Sequence, residues 1–108
     1  MPRDPIDIDL VGEVLEDVME SVKHKVAVKG NGSFCSSHEC LGILSEEQHE
    51  LTDAVRSNDI GSIEKELNDI AVAAVWSLCS IRASALDWPD ARLRPIGVEP
   101  QAPARPTQ

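Results

Sequence analysis

The sequence predicts an all-α protein: an antiparallel helical bundle of about three main helices, oligomerising, with an irregular C-terminal tail. Three observations predict it. Apolar residues make up 42% of the 108 and aromatic residues only 3%, so the core has to be aliphatic. Three segments carry Val, Leu, Ile and Ala at spacings of three and four, the period of a helix with one buried face. Glycine and proline gather mostly outside the best of those segments.

The first segment has Val11, Val14, Leu15, Val18, Val22 and Val26 on one stripe, with Glu13, Glu16, Asp17 and Glu20 elsewhere, and predicts a helix over residues 7–28. Lys29-Gly30-Asn31-Gly32-Ser33 ends it, because glycine and asparagine accept turn conformations that other residues resist. A second helix starts near Ser36 or Ser37, where Ser36 and Glu39 have the spacing of a capping box, and runs to about Arg56. Its core stripe is Cys40, Leu44, Leu51 and Ala54, flanked by Ile43 and Val55. Ser57-Asn58-Asp59 is a short polar link in which Asn58 or Asp59 caps the next helix, and so short a link makes the two helices antiparallel neighbours.

The third helix carries Ile60, Ile63, Leu67, Ile70, Ala74 and Leu78 on one stripe and is apolar nearly all round over residues 70–78. Such a helix is expected at the centre of the bundle or of an interface between copies. From residue 87 the composition changes, with Pro89, Pro95, Pro100, Pro103 and Pro106. That tail is expected to be extended, with Trp88 and Ile96 as its anchors. The chain thus divides into a helical domain, residues 1–86, and a Pro-rich tail, residues 87–108, without internal repeats.

The formal net charge of −9 argues against duplex nucleic acid and anionic membrane surfaces, both polyanions that bind through Lys and Arg clusters. A phosphorylated small molecule stays open if a metal ion supplies positive charge. No apolar run is long enough to span a bilayer and the opening residues MPRDPIDIDL do not read as a signal peptide, so a cytoplasmic protein is expected. Cys35, Cys40 and Cys79 are then free thiols. A domain this small, with so apolar a third helix, is expected to associate as a dimer or tetramer.

Five carboxylates break the pattern. At about 100° per residue, Glu46 and Glu50 lie about 40° apart on the second helix and Glu47 about 60° to the other side of Glu50, so the three share a face. Glu47 also follows Leu44 by three and precedes Leu51 by four, a position that belongs to the apolar stripe. On the third helix Glu66 stands in the same way between Ile63 and Ile70, and Asp69 follows one turn later. A carboxylate turned toward a core is costly unless it is paired or bound to a cation, and only Lys65 and Arg56 are near in sequence. A hard divalent ion held by oxygen ligands resolves the conflict, with Mg2+ the common choice and Mn2+ an alternative. The plainer reading, a solvated acidic face, would apply to an isolated EExxE.

Glu46-Glu47-x-x-Glu50, followed after fifteen residues by Glu66-x-x-Asp69 and the apolar run that begins at Ile70, resembles the signature of the MazG-like, all-α nucleotide pyrophosphohydrolases. The resemblance covers residues 38–81. It implies a magnesium-dependent enzyme that cleaves a nucleoside triphosphate between the α and β phosphates, giving a monophosphate and pyrophosphate. It further implies that Glu47, Glu50, Glu66 and Asp69 hold the metal, with Glu46 binding a further ion or orienting the attacking water. Basic candidates for the phosphates are Lys23, Lys25, Lys29, Arg56, Lys65 and Arg82.

Other constellations compete. Cys35, His38 and Cys40, with Cys79, His24 or His49, contain zinc-ligand types but lack the paired CxxC spacing, and Cys40 and Cys79 also fit helical core stripes. His38 is expected to be exposed in a first turn or to line a nucleotide pocket. A Cys–His nucleophile has no orienting group or oxyanion hole to mark it. Trp76 reads as a core residue or a base-stacking one, and Phe34 as a loop anchor or a stacking ring. The rival to the enzyme is a non-catalytic helical oligomer that binds a metal, a nucleotide or a protein through the same bundle.

Overall fold

In the computed structural model, which describes residues 2–83, the chain forms three helices: α1 (Ile8–Lys29), α2 (Ser37–Ser57) and α3 (Ile60–Arg82). Each starts on the residue type that satisfies orphaned N-terminal amides. Asp7 accepts from the Asp9 amide, Ser36 from the Glu39 amide at 3.1 Å, and Asp59 from the Gly61 amide. The Glu39 carboxylate reaches back one residue beyond the serine and accepts the Cys35 amide at 2.7 Å, so the capping box closes around Cys35. That contact, together with the Cys35 thiol, holds the Glu39 carboxyl below its ordinary pKa.

The helix ends follow equally local rules. Gly30 terminates α1 at φ +88°, where a side chain would be strained, and its amide donates to the Val26 carbonyl. Asn58 ends α2 in the left-handed conformation that asparagine tolerates. With Asp59 already capping α3, the link between α2 and α3 is short enough to fold them directly back on each other.

The helix α3 is the middle of the molecule. The α1 and α2 backbones each pack on it and do not approach one another. Two long-range hydrogen bonds fix how α1 and the loop after it meet α3: Asn68 Nδ2 donates to Ser21 Oγ at 2.9 Å, and Trp76 Nε1 donates to the Gly32 carbonyl at 2.8 Å. Rising residue numbers on one side meet rising numbers on the other, so α1 and α3 run in the same direction. A third, from the Phe34 amide to Ser80 Oγ, sets the start of α2 against the end of α3 and so makes those two antiparallel.

The buried core is small: Val18, Ala54, Val72 and Ala73, with Ser77 and Ser80. Both serines turn their hydroxyls onto carbonyls four residues back, Ser77 to Ala73 and Ser80 to Trp76, which satisfies them inside the helix. This face of α3 corrects the stripe expected from the sequence. Leu67 and Leu78 are exposed, as is Ile60, and the small residues Ala73, Ser77 and Ser80 face the neighbours instead. Small side chains let helix axes come close, whereas the leucines find no partner helix among the described residues. Cys79 is exposed rather than core, and Val55 is exposed too.

On α1 the expected stripe is buried only in its second half. Val18 is buried and Val22 and Val26 are half-buried, but Val11, Val14 and Leu15 are exposed. The Pro-rich tail with Trp88 and Ile96, and the boundary at residue 86, lie outside the described residues. No helix of the described residues is long and apolar enough to cross a membrane.

Candidate metal centre

The packing of α2 on α3 turns the acidic face of one helix toward that of the other. Glu47 descends from the Leu44 and Leu51 stripe, while Glu66 and Asp69 stand one turn apart on α3, and all three are half-buried. One carboxylate oxygen from each lies within 4.8 Å of the others. Among the described residues this is the one group of three or more acidic, histidine or cysteine side chains so placed. The Cys35, His38 and Cys40 constellation with Cys79 makes no such group, and Cys40 and Cys79 are free thiols.

Two of the five predicted carboxylates stay outside the trio. Glu46 and Glu50 are exposed, and at about 100° per residue they lie about 100° and 60° round the helix from Glu47. Glu50 therefore does not converge with the other three as the sequence led one to expect, although its charge still acts on Glu47.

Inside the trio two oxygens have nothing to bind. Glu47 Oε1 and Glu66 Oε1 are both buried and neither has a hydrogen-bond partner among the described residues. An unpartnered buried carboxylate oxygen is costly. The other side of the group is partly compensated, since Lys65 reaches Asp69 Oδ2 at 3.0 Å and Glu66 Oε2 at 3.4 Å. Lys65 is two-thirds exposed and grips the trio only from its outer rim, and these contacts raise its pKa. Burial first, then the charges of Asp69, Glu50 and Glu66, push the Glu47 carboxyl above its ordinary pKa, and Lys25 opposes them. A hard cation would fit this site: it takes oxygen donors, it is drawn by three acids, and its charge would offset the cost of burying unpartnered carboxylate oxygens.

Two cavities flank the trio. The larger, about 440 Å³, has Glu46 and Glu47 on one wall, Lys25 and Lys29 from α1 on another, and Phe34 and Trp76 beside them. The smaller, about 310 Å³, is lined by Lys25, His24, Asn68 and Asp69 among others. Trp76 and Phe34 thus stand at a cavity wall rather than in a sealed core, and the Trp76 indole N–H is spent on Gly32. His38 is exposed and does not line either cavity. The sequence had marked Lys25 and Lys29 only as two basic residues among six. It gave no sign of Asn68 or Ser80, whose roles depend on contacts 47 and 46 residues away.

The profile of a known family, the MazG nucleotide pyrophosphohydrolase domain, matches residues 36–91, just over half of the chain and including every carboxylate of the trio. No curated protein and no solved structure matches the chain.

Proposed function

The chain belongs to the MazG nucleotide pyrophosphohydrolase family, and from that premise we propose that it is a magnesium-dependent nucleoside triphosphate pyrophosphohydrolase that cleaves between the α and β phosphates. The observation that carries this reading is the pair of buried, unpartnered oxygens on Glu47 and Glu66 within the acidic trio. In a protein of net charge −9 a bound cation at that point would help to draw in a polyanion.

In this reading Glu47, Glu66 and Asp69 hold Mg2+, or Mn2+ in its place, and Glu50 joins them by a modest side-chain rotation from its exposed position one turn along α2. The bound ion supplies charge neutralisation for the triphosphate and for the charge that develops at phosphorus. Glu46, on the wall of the larger cavity, orients the attacking water or binds a further ion. Asp69 and Glu66 are themselves held in place by Lys65, which limits their rotamers. Aromatic rings at Phe34 and Trp76 offer the cavity's apolar surface to a base.

The exposed apolar face of α1 supports a homo-oligomer, dimer or tetramer, as the working form. The rival, a helical oligomer without catalysis, is separated by products. A panel of nucleoside triphosphates incubated with Mg2+ should release monophosphate and pyrophosphate, and none with EDTA. Glu66→Gln keeps the shape and removes one donor charge, so pyrophosphate release should fall by at least a hundredfold with the helical fold intact. Turnover equal to the parent's in that variant would remove the trio from the reaction.

A further inference from the structure

The acidic half of the site accounts for a metal but not for the polyanion that the metal would accompany. We propose that Lys25 and Lys29 hold the phosphate chain of a nucleoside triphosphate across the larger cavity from Glu46 and Glu47, forming the cationic wall of the substrate site. This rests on the pyrophosphohydrolase reading and adds to it the residues that read the phosphates.

Three observations carry it. Lys25 and Lys29 are four residues apart on α1, hence on one face one turn apart, and they are the basic residues that line the 440 Å³ cavity. Lys25 also lines the smaller cavity together with Asp69, so it borders both cavities that the trio's residues line. Among the described residues neither lysine forms an ion pair, whereas Lys23 and Lys65 are engaged with Glu20 and with Glu66 and Asp69. Two unengaged ammonium groups beside carboxylates, with aromatic rings on the same cavity, match a ligand that has an anionic chain at one end and a flat apolar group at the other. A lysine ammonium is a point charge on a flexible stem and adapts to a phosphate oxygen without the fixed geometry arginine requires.

The plainer alternative is that these lysines only favour the C-terminal end of the α1 dipole, where Lys29 is the last-turn basic residue. That role would appear in thermal stability and not in ligand affinity. A second alternative makes Lys25 a counter-charge for Glu47, in which case its loss would change binding of Mg2+ alone.

Calorimetric titration of the full chain separates them. The ligands are a nucleoside, its monophosphate and its α,β-imido triphosphate, each with Mg2+, and Mg2+ by itself. For Lys25→Gln and Lys29→Gln the affinity for the imido triphosphate should fall roughly tenfold each, a typical value for one charge-assisted contact. Nucleoside affinity and Tm should hold, and Mg2+ alone should bind no more weakly than to the parent. The double variant Lys25→Arg with Lys29→Arg keeps both charges and should retain most of the affinity. Equal triphosphate affinity in parent and glutamine variants overturns the proposal, and so does a loss that is as large for the nucleoside. A parent that binds and cleaves triphosphate while the variants bind it equally well removes only the lysines. A parent that binds no triphosphate removes the pyrophosphohydrolase reading and the lysines with it.

Discussion

Glu47 concentrates the conflict in this molecule. Its carboxyl sits on the face that packs against α3, with one oxygen buried and three other acids acting on it. Because its pKa in the folded chain is raised above 4.5, the native state binds more protons than the unfolded chain at pH values just above 4.5. The Glu47 contribution is therefore fully present below that pH and is lost as pH rises through the folded value. Glu47→Gln removes this loss. In EDTA, its Tm should exceed that of the parent at neutral pH, and the difference should shrink toward pH 4. Adding Mg2+ should reverse the order, because the ion binds and stabilises only the chain that keeps its carboxylate. Differential scanning fluorimetry across pH, with and without Mg2+, reads both effects, and a variant less stable than the parent in EDTA at pH 7 would contradict the account.

At the scale of elements, the decisive surface is the narrow face of α3 built from Ala73, Ser77 and Ser80. Ser80 is the most buried residue described, at 2% exposure; its hydroxyl donates to the Trp76 carbonyl within α3 and accepts the Phe34 amide from the loop before α2. Ser80→Ala leaves that amide without a partner, so it should cost about 1–3 kcal/mol. Urea unfolding should show a lower midpoint at an unchanged slope. An unchanged midpoint would mean that water replaces the hydroxyl freely.

This face also marks where the sequence stopped being legible. Helix limits could be read closely because caps are local: Ser36 with Glu39, Gly30, and Asn58 with Asp59 each act within a few residues. The Glu47, Glu66 and Asp69 trio was legible because an acid on an apolar stripe is an anomaly that periodicity exposes. The rotation of α3 was not, since Leu67 and Leu78 dominate any hydrophobic stripe while alanine and serine, which make the close contact, hardly register. Nor was the placement of Glu50, which shares a helix face with Glu47 but is exposed and stands outside the converging trio.

The whole molecule is asymmetric in what it covers. Around the trio α3 is packed on two sides, but at the start of α1 Leu10, Val14, Leu15 and Met19 are about half exposed or more. Apolar surface on that scale in one helix is the usual mark of a protein contact. Light scattering at micromolar concentration should therefore give the mass of a dimer or tetramer. Leu15→Lys should shift it toward the monomer without loss of helical circular dichroism. A parent of monomer mass would mean that this face serves something other than a second copy.

The Trp76 indole bears a consequence for how the protein can be watched. Its N–H is tied to the Gly32 carbonyl while its ring borders the larger cavity, so its orientation is set and its surroundings change when the cavity fills. The chain has only one other tryptophan, Trp88. With Trp88→Phe as background, the emission of Trp76 becomes a label-free optical signal that should shift as a triphosphate analogue enters with Mg2+, and should stay unchanged when the Mg2+ is titrated alone. The feature that holds the loop to α3 thus makes the protein its own reporter, able to time ligand entry in a stopped-flow trace apart from any chemistry that follows.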